Sequence, residues 1–119
     1  MAQTFEPGDF LIFQLESGYG LVRVLGCEED KQERTWHVSV YEELFPDAEW
    51  AERAAESPDD LHLSKPHIAL TERAFDRTPT AKLKNVPLTE NDLTPYRRWQ
   101  QSPERHVHDR SLLLLLGMR

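Results

Sequence analysis

Cysteine is nearly missing from this chain: Cys27 is the only one. A lone thiol excludes an internal disulfide framework, and a Cys-rich zinc module with it. Long apolar runs are missing as well. The longest, Leu112 to Leu116, falls far short of the roughly 20 residues a membrane helix needs. The opening Met1-Ala2-Gln3-Thr4-Phe5-Glu6-Pro7 has neither a basic start nor an apolar stretch, so no signal peptide is expected and a cytosolic protein is. No G-x-S-x-G, P-loop, G-x-G-x-x-G or H-E-x-x-H pattern occurs. The expectation is therefore no enzyme, no catalytic residue and no cofactor.

Lys and Arg are scarce in one half. Residues 1–60 hold 15 Asp and Glu against 4 Lys and Arg, a charge of −11, while residues 61–119 hold 10 Lys and Arg against 6 acids, a charge of +4. Counterion release at nucleic acid needs clustered Lys and Arg, so nucleic-acid binding is disfavoured. A strongly acidic half attracts basic surfaces instead. The chain has 119 residues. That fits one domain, able to bury roughly two-thirds of the surface its unfolded chain exposes.

What is present reads mainly as strand. Pro7-Gly8-Asp9 signals a turn, and Phe10 to Phe13 is apolar on both alternating faces. Glu16-Ser17-Gly18 suits a hairpin connection into a return strand, Tyr19 to Leu25. Val22 and Val24 share one face there, with Tyr19, Leu21 and Arg23 on the other. Gly20 marks a bulge or a close backbone approach. Residues 26–34 read as an exposed charged loop. Thr35 to Tyr41 alternates cleanly, with Trp36, Val38 and Val40 inward and His37 and Ser39 outward.

Past that meander the signals mix. Asp47 is a plausible N-cap for a helix over 48–56 whose alanines lack bulk, so its packing must lean on Phe45 and Trp50. Residues 67–72 predict a strand, and 73–88 an irregular stretch held by Leu83 and Val86. Thr89-Glu90-Asn91-Asp92 has capping-box spacing before Leu93. Pro95 then leaves two options, one kinked helix or a turn followed by a helix over 95–101 capped by Thr94. Tyr96 and Trp99 share a face either way. Residues 103–110 are a polar loop, and Leu112 to Leu116 reads as a buried strand rather than a helix. The fold expected is mainly β with short helices: a small bent antiparallel sheet or partly open barrel.

Candidate chemistry is sparse. Cys27 sits among Glu28, Glu29 and Asp30, which oppose thiolate formation, so an inert thiol is expected. His106 and His108 could meet one metal on a strand, but zinc needs three or four converging ligands and no spacing ensures them. His37 is expected to face solvent. Trp50, in an acidic helix, is the best candidate for an exposed anchor, but packing onto the barrel is its expected role. The partner surface predicted is Glu28, Glu29 and Asp30 together with Glu42, Glu43, Asp47, Glu49 and Trp50. Acids there would steer a basic protein while the aromatic holds it.

Phe5-Glu6-Pro7-Gly8-Asp9-Phe10-Leu11 and Gly18-Tyr19-Gly20-Leu21-Val22-Arg23-Val24-Leu25 resemble the opening of the bacterial immunity proteins of family twenty-six, from polymorphic toxin systems. The likeness is sharpest over residues 5–41. It implies neutralisation of a cognate toxin by direct binding, without catalysis. Two other classes remain open: a ligand-sensing or enzymatic domain using a His and carboxylate pocket, and an adaptor subunit of a larger complex.

Overall fold

The structure, a computed structural model, describes residues 4–117. The reading of Met1-Ala2-Gln3 as an ordinary start lies outside those residues. Five strands form one antiparallel sheet in the order β4-β3-β2-β1-β5. β1 (Asp9–Leu15), β2 (Gly18–Asp30) and β3 (Glu33–Tyr41) are the expected meander. β4 (Leu63–Thr71) joins beside β3, and β5 (Thr80–Asn85) returns to pair with β1. β4 and β5 are the two edges, so the sheet is open.

The strand periodicity divides the side chains between two faces. Leu11, Phe13, Val22, Val24, Trp36, Val38 and Leu70 form the apolar first face. It is covered by α2 (Glu72–Asp76), through Ala74 and Phe75, and by α4 (Leu112–Leu115), through Leu112. Phe75 stacks on Trp36 at 4.9 Å between ring centres. The second face carries Phe10, Ile12, Leu21 and Tyr41 under α1 (Ala48–Ala55), Arg23 and His37 toward α3 (Glu90–Gln101), and Ser39, which donates to Pro66 O of β4 at 2.8 Å. Gly20 is a close approach: a Cβ there would lie 2.3 Å from the Phe13 ring.

Several expectations are corrected. The charged loop over 26–34 is mostly strand. Only Lys31 and Gln32 turn, both with positive φ (48° and 73°), in a two-residue hairpin whose twist matches its strands. The stretch over 73–88 contains α2 and β5; Thr71 caps α2 by accepting from Ala74 N at 3.1 Å. Leu112 to Leu115 is a helical turn, not a strand. Leucine has high helix propensity, and Ser111 accepts from Leu114 N at 3.4 Å. Between the options around Pro95, the structure has one helix with Pro95 inside it, started by a capping box in which Thr89 and Asp92 each hold the other's backbone N–H. α1 is capped by Asp47 as expected, but it packs through Ala51 and Ala55 with Phe45 alongside, and Trp50 turns away. Among the described residues no helix is long and apolar enough to cross a membrane.

Candidate functional site

The chain leaves the sheet at Tyr41 and re-enters it at Leu63, and the segment between is fastened at both ends. Glu42 N donates to His62 O at 2.8 Å. Glu43 accepts from His62 N at 2.9 and 3.1 Å and lies 2.6 Å from His62 Nδ1. Burial raises the Glu43 carboxyl's pKa, but these hydrogen bonds outweigh it and leave it lowered; the same bond to Glu43 raises that of His62. Phe45 and Tyr19 exchange two backbone hydrogen bonds of 2.8 and 2.9 Å, which clip the segment to the first hairpin. A fixed segment can present side chains without a large ordering cost on binding.

Those side chains are mostly carboxylates. Residues 42–60 hold eight Asp and Glu against Arg53 alone, a net −7 that equals the charge of the whole chain. With Ala51 and Ala55 turned inward, α1 points Glu49, Trp50, Glu52 and Arg53 at solvent. Trp50 is 56% exposed, with the Arg53 guanidinium 5.6 Å from its ring. Beside it opens a cleft of about 400 Å³ lined by Glu43, Phe45, Trp50, Arg53, Asp60 and Leu61. Asp47 is committed to the cap, accepting from Trp50 N at 2.9 Å.

Glu28, Glu29 and Asp30 do not join this surface. They pair with the first residues of β3, whereas Glu42 follows its last. A strand of that length separates the two groups by about 25 Å. Glu29 is bound to Arg34 Nε at 2.8 Å, and Asp30 sits opposite Glu33 at the turn. The eight residues thus form an acidic, aromatic face at one end of β3 and a short acidic hairpin at the other.

Glu28 belongs to a cluster that the sequence reading missed. His37, expected to face solvent, is 0% exposed. α3 lies over it, stacking Tyr96 on its ring at 4.1 Å and setting Trp99 against its edge at 4.6 Å. His37 Nε2 lies 3.0 Å from Glu28 Oε1, and His37 Nδ1 lies 2.9 Å from His67 Nε2. Gln100 Nε2 donates to the other Glu28 oxygen at 3.1 Å, and the Tyr96 hydroxyl also bonds to Glu28. Burial raises the Glu28 pKa, yet these bonds hold it lowered overall. Burial lowers both histidines, against the pull of Glu28, and the charge of His37 pushes His67 further, down to about 4. Gly26 gives Tyr96 its room, since a Cβ there would lie 2.9 Å from the ring.

A second missed residue ties α3 at its start. Arg23 is buried to 1% exposure beneath the helix N-terminus. Its guanidinium donates to Val86 O at 2.7 Å and Pro87 O at 3.1 Å, reaches Asp92 at 3.3 Å, and lies 4.7 Å over the Phe10 ring. The signal for both misses was the alternation itself. Arg23 and His37 stand on the face of Leu21 and Tyr41, and an aromatic pair on a later helix could cover them.

Cys27 is exposed, and its thiol is raised, first by burial and then by Glu29, Glu72 and Glu28 against the opposing charge of Arg34. His106 and His108 meet edge to face at 4.3 Å, with His108 bonded by its backbone to Ala69 and Thr71 of β4. Among the described residues no group of three or more His, Cys, Asp and Glu could hold a metal ion. In comparisons with known proteins, the chain matches no family model, no curated protein and no solved structure.

Proposed function

We propose that this chain is a non-catalytic cytoplasmic binding protein that holds a basic protein partner against the face over 42–60. The observation that carries this reading is the exposure of Trp50 among carboxylates. Trp is enriched where interfaces concentrate their binding energy, and a surrounding rim of charge steers an oppositely charged partner and speeds its arrival. The resemblance of residues 5–41 to immunity proteins gives the partner a class, a cognate toxin, and the role is its neutralisation by occupation. Carboxylates repel phosphate, so nucleic acid is not the partner.

The test uses the purified chain, immobilised and offered an extract of its own cell. A basic protein is retained. Trp50→Ala weakens retention by about 2 kcal/mol, chiefly through faster dissociation. Glu49→Lys with Glu52→Lys slows association about tenfold and flattens its salt dependence. Both acids are exposed, and Glu49 gives up a surface pair with Arg53 and a favourable charge at the helix start, so melting should fall only slightly. A partner held equally by both variants, each still folded, sinks the reading.

A second reading, a ligand-responsive domain, draws on a different place. A cleft of about 450 Å³ between β2 and α3, walled by Leu25, Leu88 and Leu93, ends on Tyr96 and Gln100, the two α3 side chains that hold Glu28. The readings part on Trp50, which the second does not use.

A further inference from the structure

We propose that α3 is an acid-released cover: protonation of the His37–His67 pair beneath it frees the helix from the sheet while the rest of the fold stays intact. Ionised Glu28 only accepts, so His37 carries its proton on Nε2 and donates it to Glu28. Nδ1 of His37 is then bare, and Nε2–H of His67 donates to it across 2.9 Å. One further proton can enter at His67 Nδ1 without breaking this chain, its charge balanced by Glu28. A second makes both facing nitrogens donors and both rings cations. At that separation, with His37 fully buried and His67 partly so, the pair must part.

α3 is what parting moves. Tyr96 and Trp99 are stacked on or set against both imidazoles. The charged and titratable groups facing the pair are Glu28 from β2 and Tyr96 from α3; Trp99 and Gln100 add neutral contacts. Glu28, whose bonds hold its carboxyl below the usual carboxylate range, stays ionised while the histidines take up protons and balances one cation but not two. Docking therefore weakens as the second proton is added. The direction follows from linkage. Released histidines bind protons near their ordinary pKa and docked ones only at lower pH, so docking is complete above about pH 6.5 and fades toward about pH 4. α2, α4 and the apolar first face pack through hydrophobic side chains, and the carboxyl of Asp109, bonded to Thr71 and Arg73 at the start of α2, is held below the usual carboxylate range. Those elements should hold while α3 leaves.

The readout is amide hydrogen exchange, corrected for intrinsic rate, on the full chain between about pH 7 and pH 4. Exchange in α3 should accelerate by about tenfold per pH unit for each proton taken up, while Val24 and Val38 stay protected. The indole N–H of Trp99, which donates to His106 O at 2.9 Å, should lose its protection in step with α3. His67→Gln should move the transition to lower pH and make it shallower. Glu28→Gln should move it to higher pH, because the balancing anion is gone. The proposal is overturned if α3 stays protected to about pH 4, if it is lost together with β2 and β3, or if His67→Gln leaves the midpoint in place.

Discussion

α1 and α3 lie on the same face of one sheet, but α1 rests on apolar side chains and α3 on titratable ones. Ala51 and Ala55 bring α1 down on Phe10, Ile12, Leu21 and Tyr41, an apolar contact beside which Glu56 at the helix C-cap pairs with Lys84 of β5 at 3.2 Å. Tyr96 and Trp99 bring α3 down on His37 and His67, backed by Glu28, with Arg23 holding the helix start. Apolar contact is non-directional and scales with buried area. A buried polar contact is directional, and removing one partner strands the other in a dry site, which costs more than the bond itself contributed. α1 is thus a steady platform for what it displays outward, and α3 is conditional on the protons under it.

The substitution that should separate the two helices most is Arg23→Met. Methionine can still lie on Phe10, but it leaves Val86 O and Pro87 O without the guanidinium and takes the cation from Asp92, which keeps its bond from Thr89 N. Stranding buried acceptors in this way costs about 2 kcal/mol. Urea unfolding should show that loss, and hydrogen exchange should place it first in α3. Equal loss of protection in α1 and α3 would mean that Arg23 supports the whole face and that the two helices are not independently held.

The reverse probe is Ala51→Leu. Ala51 is fully buried, so added methylenes have no free volume and α1 must lift, at a cost of about 2 kcal/mol. No titratable group is removed, so the cost should be the same in urea melts at about pH 7 and pH 5. A cost that changes with pH would show that α1 senses the histidines through the shared sheet.

How much of this was legible in the chain divides along the same line. Strand periodicity exposed the meander, the two faces of β2 and the cap of α1, because those features are local and their side chains are of one kind. Where a polar side chain stood on a strand, as at His37, alternation told only which face it took. Whether that face was wet depended on α3, more than fifty residues further along. The β2–β3 turn was hidden for a simpler reason: Lys31 and Gln32 both take positive φ without the Asn-Gly signature that announces such turns. β5 and α4 were missed where propensity and context disagree. Lys82 and Lys84 weaken the strand pattern of β5, and five leucines in a row carry no period at all. The acidic residues were found, but their division between the two ends of β3 is a matter of strand length past the turn, and that turn was not seen.

The smallest effect distinguishes the two sides of the face by the sign of their pH dependence. His62, beside α1, hydrogen-bonds through Nδ1 to Glu43, which raises its pKa. A raised pKa means the folded chain binds that proton more tightly than the unfolded one. The contribution is therefore complete below about pH 6.5 and is lost as pH rises through the raised value. It also needs ionised Glu43, whose lowered pKa sets the acid limit of the window. His67, beneath α3, has the opposite sign: its contribution is complete above about pH 6.5 and is lost as pH falls toward about 4. Stability measured against pH for His62→Gln and His67→Gln should thus diverge from wild type in opposite directions. His62→Gln should cost stability in mild acid and nothing at about pH 9, where wild-type His62 is neutral too. Because His62 is exposed, salt should shrink the difference. The backbone bond from residue 62 to Glu43 survives the substitution, so the loop itself should not move. A His62→Gln difference that grows toward alkaline pH would overturn the assignment, and one that persists undiminished at high salt would show that the ion pair is not its source.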